Sequence, residues 1–291
     1  MSVGLRYGAL VGCTLFVFTN FVACGAQMYQ VSMRGDHDTT RAHPGSTDPR
    51  SPQFGLHAPN GWATLPIDFK VGNSMNPDQV TGLKNAIRSW ELAVGKKLFR
   101  FSGVHGGVDG DSFPDLYSSL RDQINGEYID ADWDKTAKGS QVLATTIWNT
   151  SAADDFTIDT ADIRYNSQHY ILGDALTLRS SQTREVVDME SLALHELGHL
   201  LGLSHVPKSN DSSSIMNPQL FIGEGLVNRR LSSGDLRRVQ QIYGCEGEAC
   251  DITTTVMRIS KLKGDHAEGE RVVSSGVGSE GLDATNADDD N

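Results

Sequence analysis

The eleven residues HELGHLLGLSH, 195–205, constrain this chain more than any other stretch, because they hold three of its nine histidines and one glutamate. His195 and His199 are four residues apart. A helix therefore carries both imidazoles on one face, one turn apart, within reach of a single cation. Glu196 lies beside the first of them, close enough to act on an attacking water without being a ligand. This is the H-E-x-x-H arrangement of two zinc ligands and a general base. A straight helix would carry His205 onto another face. Gly202 stands three residues after His199 and three before His205, and glycine tolerates the left-handed conformation that ends a helix sharply. The chain can then swing back and deliver His205 as a third ligand. Three histidines leave a fourth tetrahedral position for water, the mark of a catalytic rather than a structural zinc site.

The stretch VVDMESLALHELGHLLG reads as a helix with Asp188 as its N-cap. Upstream, NSMNPDQVTGLKNAIRSWELAV reads as another, with Asn76 as N-cap, Pro77 at the first helical position and Gln79 completing a capping box. Leu83, Ile87, Trp90 and Val94 recur at helical spacing and mark its buried face. A third helix is expected at LSSGDLRRVQQIYG, stopping at Gly244. Strands are expected at TLPIDFKVG, KKLFRF, YID and QVLATTIWNT, with one or two more in FTIDTADIRYNSQHYIL.

The ends read differently. Residues 1–24 carry one early charge, Arg6, and an apolar run to Ala23, the layout of a secretory signal peptide. The rival reading is a membrane anchor, but the run falls short of the roughly 20 residues a span needs, and Asn20 interrupts it. Residues 25–60, rich in Ser, Pro, Gly, Asp and Arg, read as a disordered linker, with order beginning at Trp62. A domain at 61–245 follows, and 246–291 reads as a short disulfide loop and a disordered acidic tail. Cleavage after Cys24 leaves one cysteine pair, Cys245 and Cys250, and an oxidising compartment favours their disulfide. Cleavage before Cys24 makes that cysteine the new N-terminus, and FVAC then resembles a bacterial lipoprotein processing box. The expected destination is secretion, or attachment to the cell surface or outer membrane as a lipoprotein. A net charge of -12 argues against nucleic acid as a partner. Membrane contact is expected only through the leader or a lipid anchor, and the protein is expected to be a monomer.

HELGHLLGLSH resembles the zinc signature of the metzincins, H-E-x-x-H-x-x-G-x-x-H. SSIMNP adds Met216, eleven residues past His205, where that clan carries its Met-turn. VDMESLALHELGHLLGLSH, VLATTIW, TADIRYN and LSSGDLRRVQQIYG are similar to the matrixin branch, and the resemblance runs from about Trp62 to Gly244. It implies an α+β metzincin (zincin-like) domain: a twisted, mostly parallel sheet with an active-site helix, a backing helix and a C-terminal helix. It also implies a zinc-dependent endopeptidase acting on protein or peptide substrates. His195, His199 and His205 would be the ligands, Glu196 the base, and Met216 an apolar floor. Backbone at Val142, Leu143, Ala144 and Thr145 would pair with an extended substrate as an added strand. Asn217 to Gly223, Pro218 included, would wall the specificity pocket.

Departures from the pattern qualify this. No cysteine lies between Gln27 and Asn60 to cap a zinc. Thr145 stands where those enzymes carry a histidine for a second, structural zinc, leaving His105 and His169 as candidates. GGVDGD, 106–111, is a candidate loop for structural calcium. Two other functions compete: a zinc hydrolase of a non-protein substrate, and a catalytically silent binding or adhesion protein on the same fold. The survival of Glu196 beside all three histidines speaks against the latter.

Overall fold

The computed structural model describes residues 29–32, 55–105, 124–136, 139–151 and 154–263. The leader with Cys24, the 106–111 loop and the acidic end beyond residue 263 lie outside them.

In chain order the elements are β1 (Tyr29–Ser32), β2 (Gly61–Trp62), β3 (Ile67–Gly72), α1 (Pro77–Val94), β4 (Phe99–His105), β5 (Gly126–Asp130), β6 (Ala144–Ser151), β7 (Asp154–Asn166), β8 (Tyr170–Gly173), β9 (Glu185–Asp188), α2 (Met189–Leu200), β10 (Gln219–Ile222), α3 (Ser233–Tyr243) and α4 (Ile252–Leu262). The main sheet runs β2-β7-β5-β3-β4, with β6 paired to β7. Its pairings are parallel except β6 with β7, which is antiparallel. The fold is therefore the α+β, mostly parallel arrangement expected.

α1 packs against α2, the helix that carries His195 and His199. The Asn76 side chain accepts from the Gln79 N–H, and the Gln79 side chain accepts from the Asn76 N–H. This reciprocal cap satisfies two donors that a helix start leaves open. Leu83, Trp90 and Val94 are buried as expected, while Ile87 is only partly so. The indole of Trp90 donates to the Leu194 carbonyl at 2.9 Å, tying α1 to α2. Asp188 caps α2 by accepting from the N–H and hydroxyl of Ser191 at 2.9 and 2.6 Å, and Arg229 pairs with the same carboxylate. Every residue of α2 is buried, including the face that carries the histidines. A helix enclosed on all sides is stabilised by packing more than by propensity.

Two expectations need correction. The segment read as a linker contains structure: β1 pairs antiparallel with β10, and Leu56 bridges Leu203 in the turn after α2. The segment read as a disordered tail begins with a helix. Asp251 caps α4 by accepting from the Thr254 N–H at 3.1 Å. Ile259 and Thr255 are buried on its inner face, and Lys263 beyond its end pairs with Glu190 of α2. A stretch rich in Thr has weak helix propensity, and here tertiary packing overrides it. The Cys245–Cys250 disulfide is formed, with Cα atoms 5.2 Å apart. Among the described residues, no helix is long and apolar enough to cross a membrane.

Candidate metal centre

α2 places His195 and His199 one turn apart, both buried. Gly202, at φ +103°, turns the chain so that His205 returns to them. A Cβ at Gly202 would sit 2.6 Å from the Ala58 carbonyl oxygen, so glycine is required both for its φ and for space. Nδ1 of His195 lies 2.7 Å from the Ile215 carbonyl, and Nδ1 of His199 lies 2.7 Å from the Leu203 carbonyl. A carbonyl can only accept, so both Nδ1 atoms carry the proton and both Nε2 atoms present lone pairs.

The three Nε2 atoms are 3.1, 3.1 and 3.2 Å apart. Two of them are acceptors facing each other, an arrangement that repels unless a cation sits between them. A tetrahedral zinc with Zn–N bonds of about 2.0–2.1 Å requires Nε2 spacings of about 3.3 Å. The donor set, tautomers and spacing all fit zinc. Among the described residues, these three are the group able to hold a metal. Burial lowers His195 to about 4, against a weaker raising effect of its bond to Ile215. His199 is lowered well below its usual value, by burial first and then by His205, His195 and His57. Both are thus held in the neutral form that ligates metal.

Glu196 is fully buried, and burial pushes its carboxyl up to about 8, opposed by a hydrogen bond from Thr146. That hydroxyl, on β6, donates to Oε2 at 2.6 Å, while Oε1 is buried without a hydrogen-bond partner. Met216 is buried beneath the helix, and a Cβ on Gly198 would run into its sulfur. The same turn supplies the Ile215 carbonyl to His195, and the Met216 carbonyl accepts from Val206 N–H at 2.8 Å, beside His205.

The other expected residues fall out as follows. Val142 and Leu143 lie just before β6 and Ala144 and Thr145 begin it, all with buried side chains. Asn166 engages the Val142 and Leu143 carbonyls, each at 2.9 Å. Pro218 is half-buried between the Met216 turn and β10. His105 and His169 do not converge on Thr145: His105 lies edge-on to Tyr128, and His169 pairs with Asp134 at 2.8 Å. Thr145 instead stands opposite Arg164 across the strand pair, and Arg164 forms a buried ion pair with Asp130 under the ring of Trp133.

Sequence reasoning missed Thr146, His57 and Glu127. The two-residue alternation along β6 could have shown that Thr146 shares a face with Ala144. Nothing local points to His57 or Glu127.

Residues 126–244 match the family described as Matrixin. Similar curated proteins include Metalloendoproteinase 2-MMP of Arabidopsis thaliana, 45% identical over 58 residues, covering 20% of this chain and 14% of that protein. Metalloendoproteinase 4-MMP of the same plant is 32% identical over 103 residues, covering 35% of this chain and 28% of its own. Matrilysin of Felis catus is 41% identical over 58 residues, covering 20% and 21%. The chain thus spans well under a third of the length of these relatives.

Proposed function

We propose, from the matrixin segment at residues 126–244, that this chain is a zinc-dependent endopeptidase that hydrolyses peptide bonds of extracellular proteins. The observation that carries the reading is the set of three Nε2 atoms 3.1–3.2 Å apart, with a buried glutamate on the same helical turn as two of them. His195, His199 and His205 hold the metal. Zinc held there would supply Lewis-acid polarisation of the scissile carbonyl and would lower the pKa of water toward neutrality. Glu196, raised by burial, would be favoured in its ionised form by a cation held on the three histidines. Glu196 takes the proton of the attacking water and passes it to the leaving amine. Thr146 holds Oε2, so Oε1 is the atom left to do this. Met216 closes the floor of the site.

An extended substrate pairs with β6 as an added strand, on the side away from β7. That pairing runs along backbone at Val142, Leu143, Ala144 and Thr145, where Asn166 of β7 holds the Val142 and Leu143 carbonyls from the β7 side. Asn217 to Gly223 walls the pocket for the substrate side chain. The apolar leader exports the protein, which acts as a monomer either free or tethered through Cys24.

The test is cleavage of an unfolded protein by the purified chain, with and without a zinc chelator, beside Glu196→Gln. The reading requires chelator-sensitive cleavage that Glu196→Gln abolishes while retaining zinc. A folded, zinc-loaded protein that cleaves no polypeptide would sink it.

A further inference from the structure

The turn that returns His205 to the other two ligands is held from outside the zinc signature. The last carbonyls of a helix lack partners within it. At the end of α2, four consecutive ones are taken by groups distant in the chain. His57 Nε2 donates to the His199 carbonyl at 2.8 Å, and Trp62 Nε1 to that of Leu200 at 2.8 Å. The Tyr243 hydroxyl donates to Leu201 at 2.9 Å, and the N–H groups of His57 and Ala58 donate to Gly202 at 2.9 and 3.2 Å. The Ser204 N–H in turn donates to the Gly55 carbonyl at 2.7 Å. All but the Tyr243 bond involve residues 55–62, of which 55–60 read by composition as the end of a linker.

His57 has a special place among these residues because it grips both sides of the turn. Its ring reaches the carbonyl of a metal ligand, and its backbone reaches the carbonyl of Gly202. The ring is stacked on Trp148 of β6, centroids 3.9 Å apart and planes 27° apart, which stops it swinging away. Next along the turn, Leu203 supplies the carbonyl that orients His199 through Nδ1. A shift of Gly202 and Leu203 would therefore misplace the His199 ring and His205 together.

We infer that His57 is a positioning residue of the metal centre: through the His199 carbonyl and the Gly202 turn it holds His199 and His205 at the spacing a metal needs. Residues 55–58 then belong to the functional site. The inference rests on reading His195, His199 and His205 as zinc ligands. His57 is not itself a ligand, since its Nε2 is committed to a carbonyl and its ring centroid lies 6.5 Å from that of His199. Groups that orient metal ligands typically change metal affinity by roughly tenfold to a hundredfold when removed.

The test uses the full chain loaded with zinc, or with cobalt(II) as a spectroscopic stand-in. His57→Phe keeps an aromatic ring on Trp148 and removes the donor, whereas His57→Gln keeps an N–H donor. Zinc release to a chromophoric chelator should be about tenfold faster in His57→Phe, with an altered visible cobalt band. His57→Gln should recover most of both. Circular dichroism checks that each variant is folded. If His57→Phe does not fold, Trp62→Phe removes the neighbouring donor to Leu200, and faster release is expected there too. Wild-type release and an unchanged cobalt band in a folded variant would overturn the inference. A wild-type chain that takes up no cobalt or zinc at all would instead overturn the zinc reading, and this inference with it.

Discussion

The Thr146 hydroxyl donates to Oε2 of Glu196 across 2.6 Å, from a strand fifty residues earlier in the chain. It also lies 3.2 Å from the Glu196 backbone carbonyl, but a hydroxyl has one proton, and the shorter contact to the carboxylate claims it. One carboxylate oxygen is thereby tied to the sheet. The other is buried without a hydrogen-bond partner, in a position that depends on how β6 sits against α2.

Thr146→Val, which conserves shape and removes the hydroxyl, should lower kcat about tenfold with little change in KM. A hydrogen bond to a charged group contributes about 1.5–3 kcal/mol, and each 1.4 kcal/mol or so is a factor of ten in rate. Thr146→Ser should recover most of the loss. Steady-state kinetics on a peptide substrate checks this, and a Val variant with wild-type kcat would show that Glu196 does not need the bond.

Gly202→Ala should cost about 2 kcal/mol or more of stability and most of the bound zinc. The residue sits at φ +103°, which side chains rarely adopt, and the added methyl would meet the Ala58 carbonyl at 2.6 Å. Thermal melting together with metal analysis of the purified variant tests it. Undiminished zinc content would mean that the turn can relax without moving His205.

Glu127 of β5 is fully buried, and burial pushes its carboxyl well above the ordinary range; the Tyr165 hydroxyl opposes this and the charge of Glu196 adds to it. The folded protein therefore keeps a proton that the unfolded chain releases above about pH 4.5. Stability from this group is lost as pH rises from the unfolded toward the folded value. Glu127→Gln should raise the melting temperature at pH 7–8, and the gain should vanish below about pH 4.5. An equal gain at every pH would show that the carboxyl does not titrate this way.

Chelation of zinc should lower the melting temperature, since a ligand bound only to the folded state stabilises it. At a free zinc concentration a hundredfold above Kd the contribution is about 2.7 kcal/mol, or roughly 5–10 °C for a domain of this size. Returning zinc should restore the wild type and leave His205→Ala unaffected. Differential scanning fluorimetry with and without zinc reads both.

Legibility followed the distance over which each decision is made. The reciprocal Asn76–Gln79 cap, the Asp188 cap, the glycine break and the pairing of Cys245 with Cys250 each depend on residues within about six positions of one another. All could be read in one dimension. α4 is missed because its Thr-rich sequence has weak propensity, although Ile252, Val256 and Ile259 recur at helical spacing and pack on the core. The surroundings of Thr145 are non-local in the same way: no local pattern says that Arg164 will stand opposite it and pair with Asp130.

By itself the sequence determined the donor set: two imidazoles at helical spacing with a carboxylate beside the first, and a glycine where the helix must end so that a third imidazole can return. Spacing along a helix sets which side chains share a face, so this needs no knowledge of the fold. Tertiary structure alone decided what holds those groups in place. Thr146, His57 and Glu127 come from 50, 142 and 69 residues away from the groups they bear on. The Thr146 and His57 contacts exist because β6 and the 55–62 segment pack against α2, and burial there lowers the pKa of His195 and His199 and raises that of Glu196.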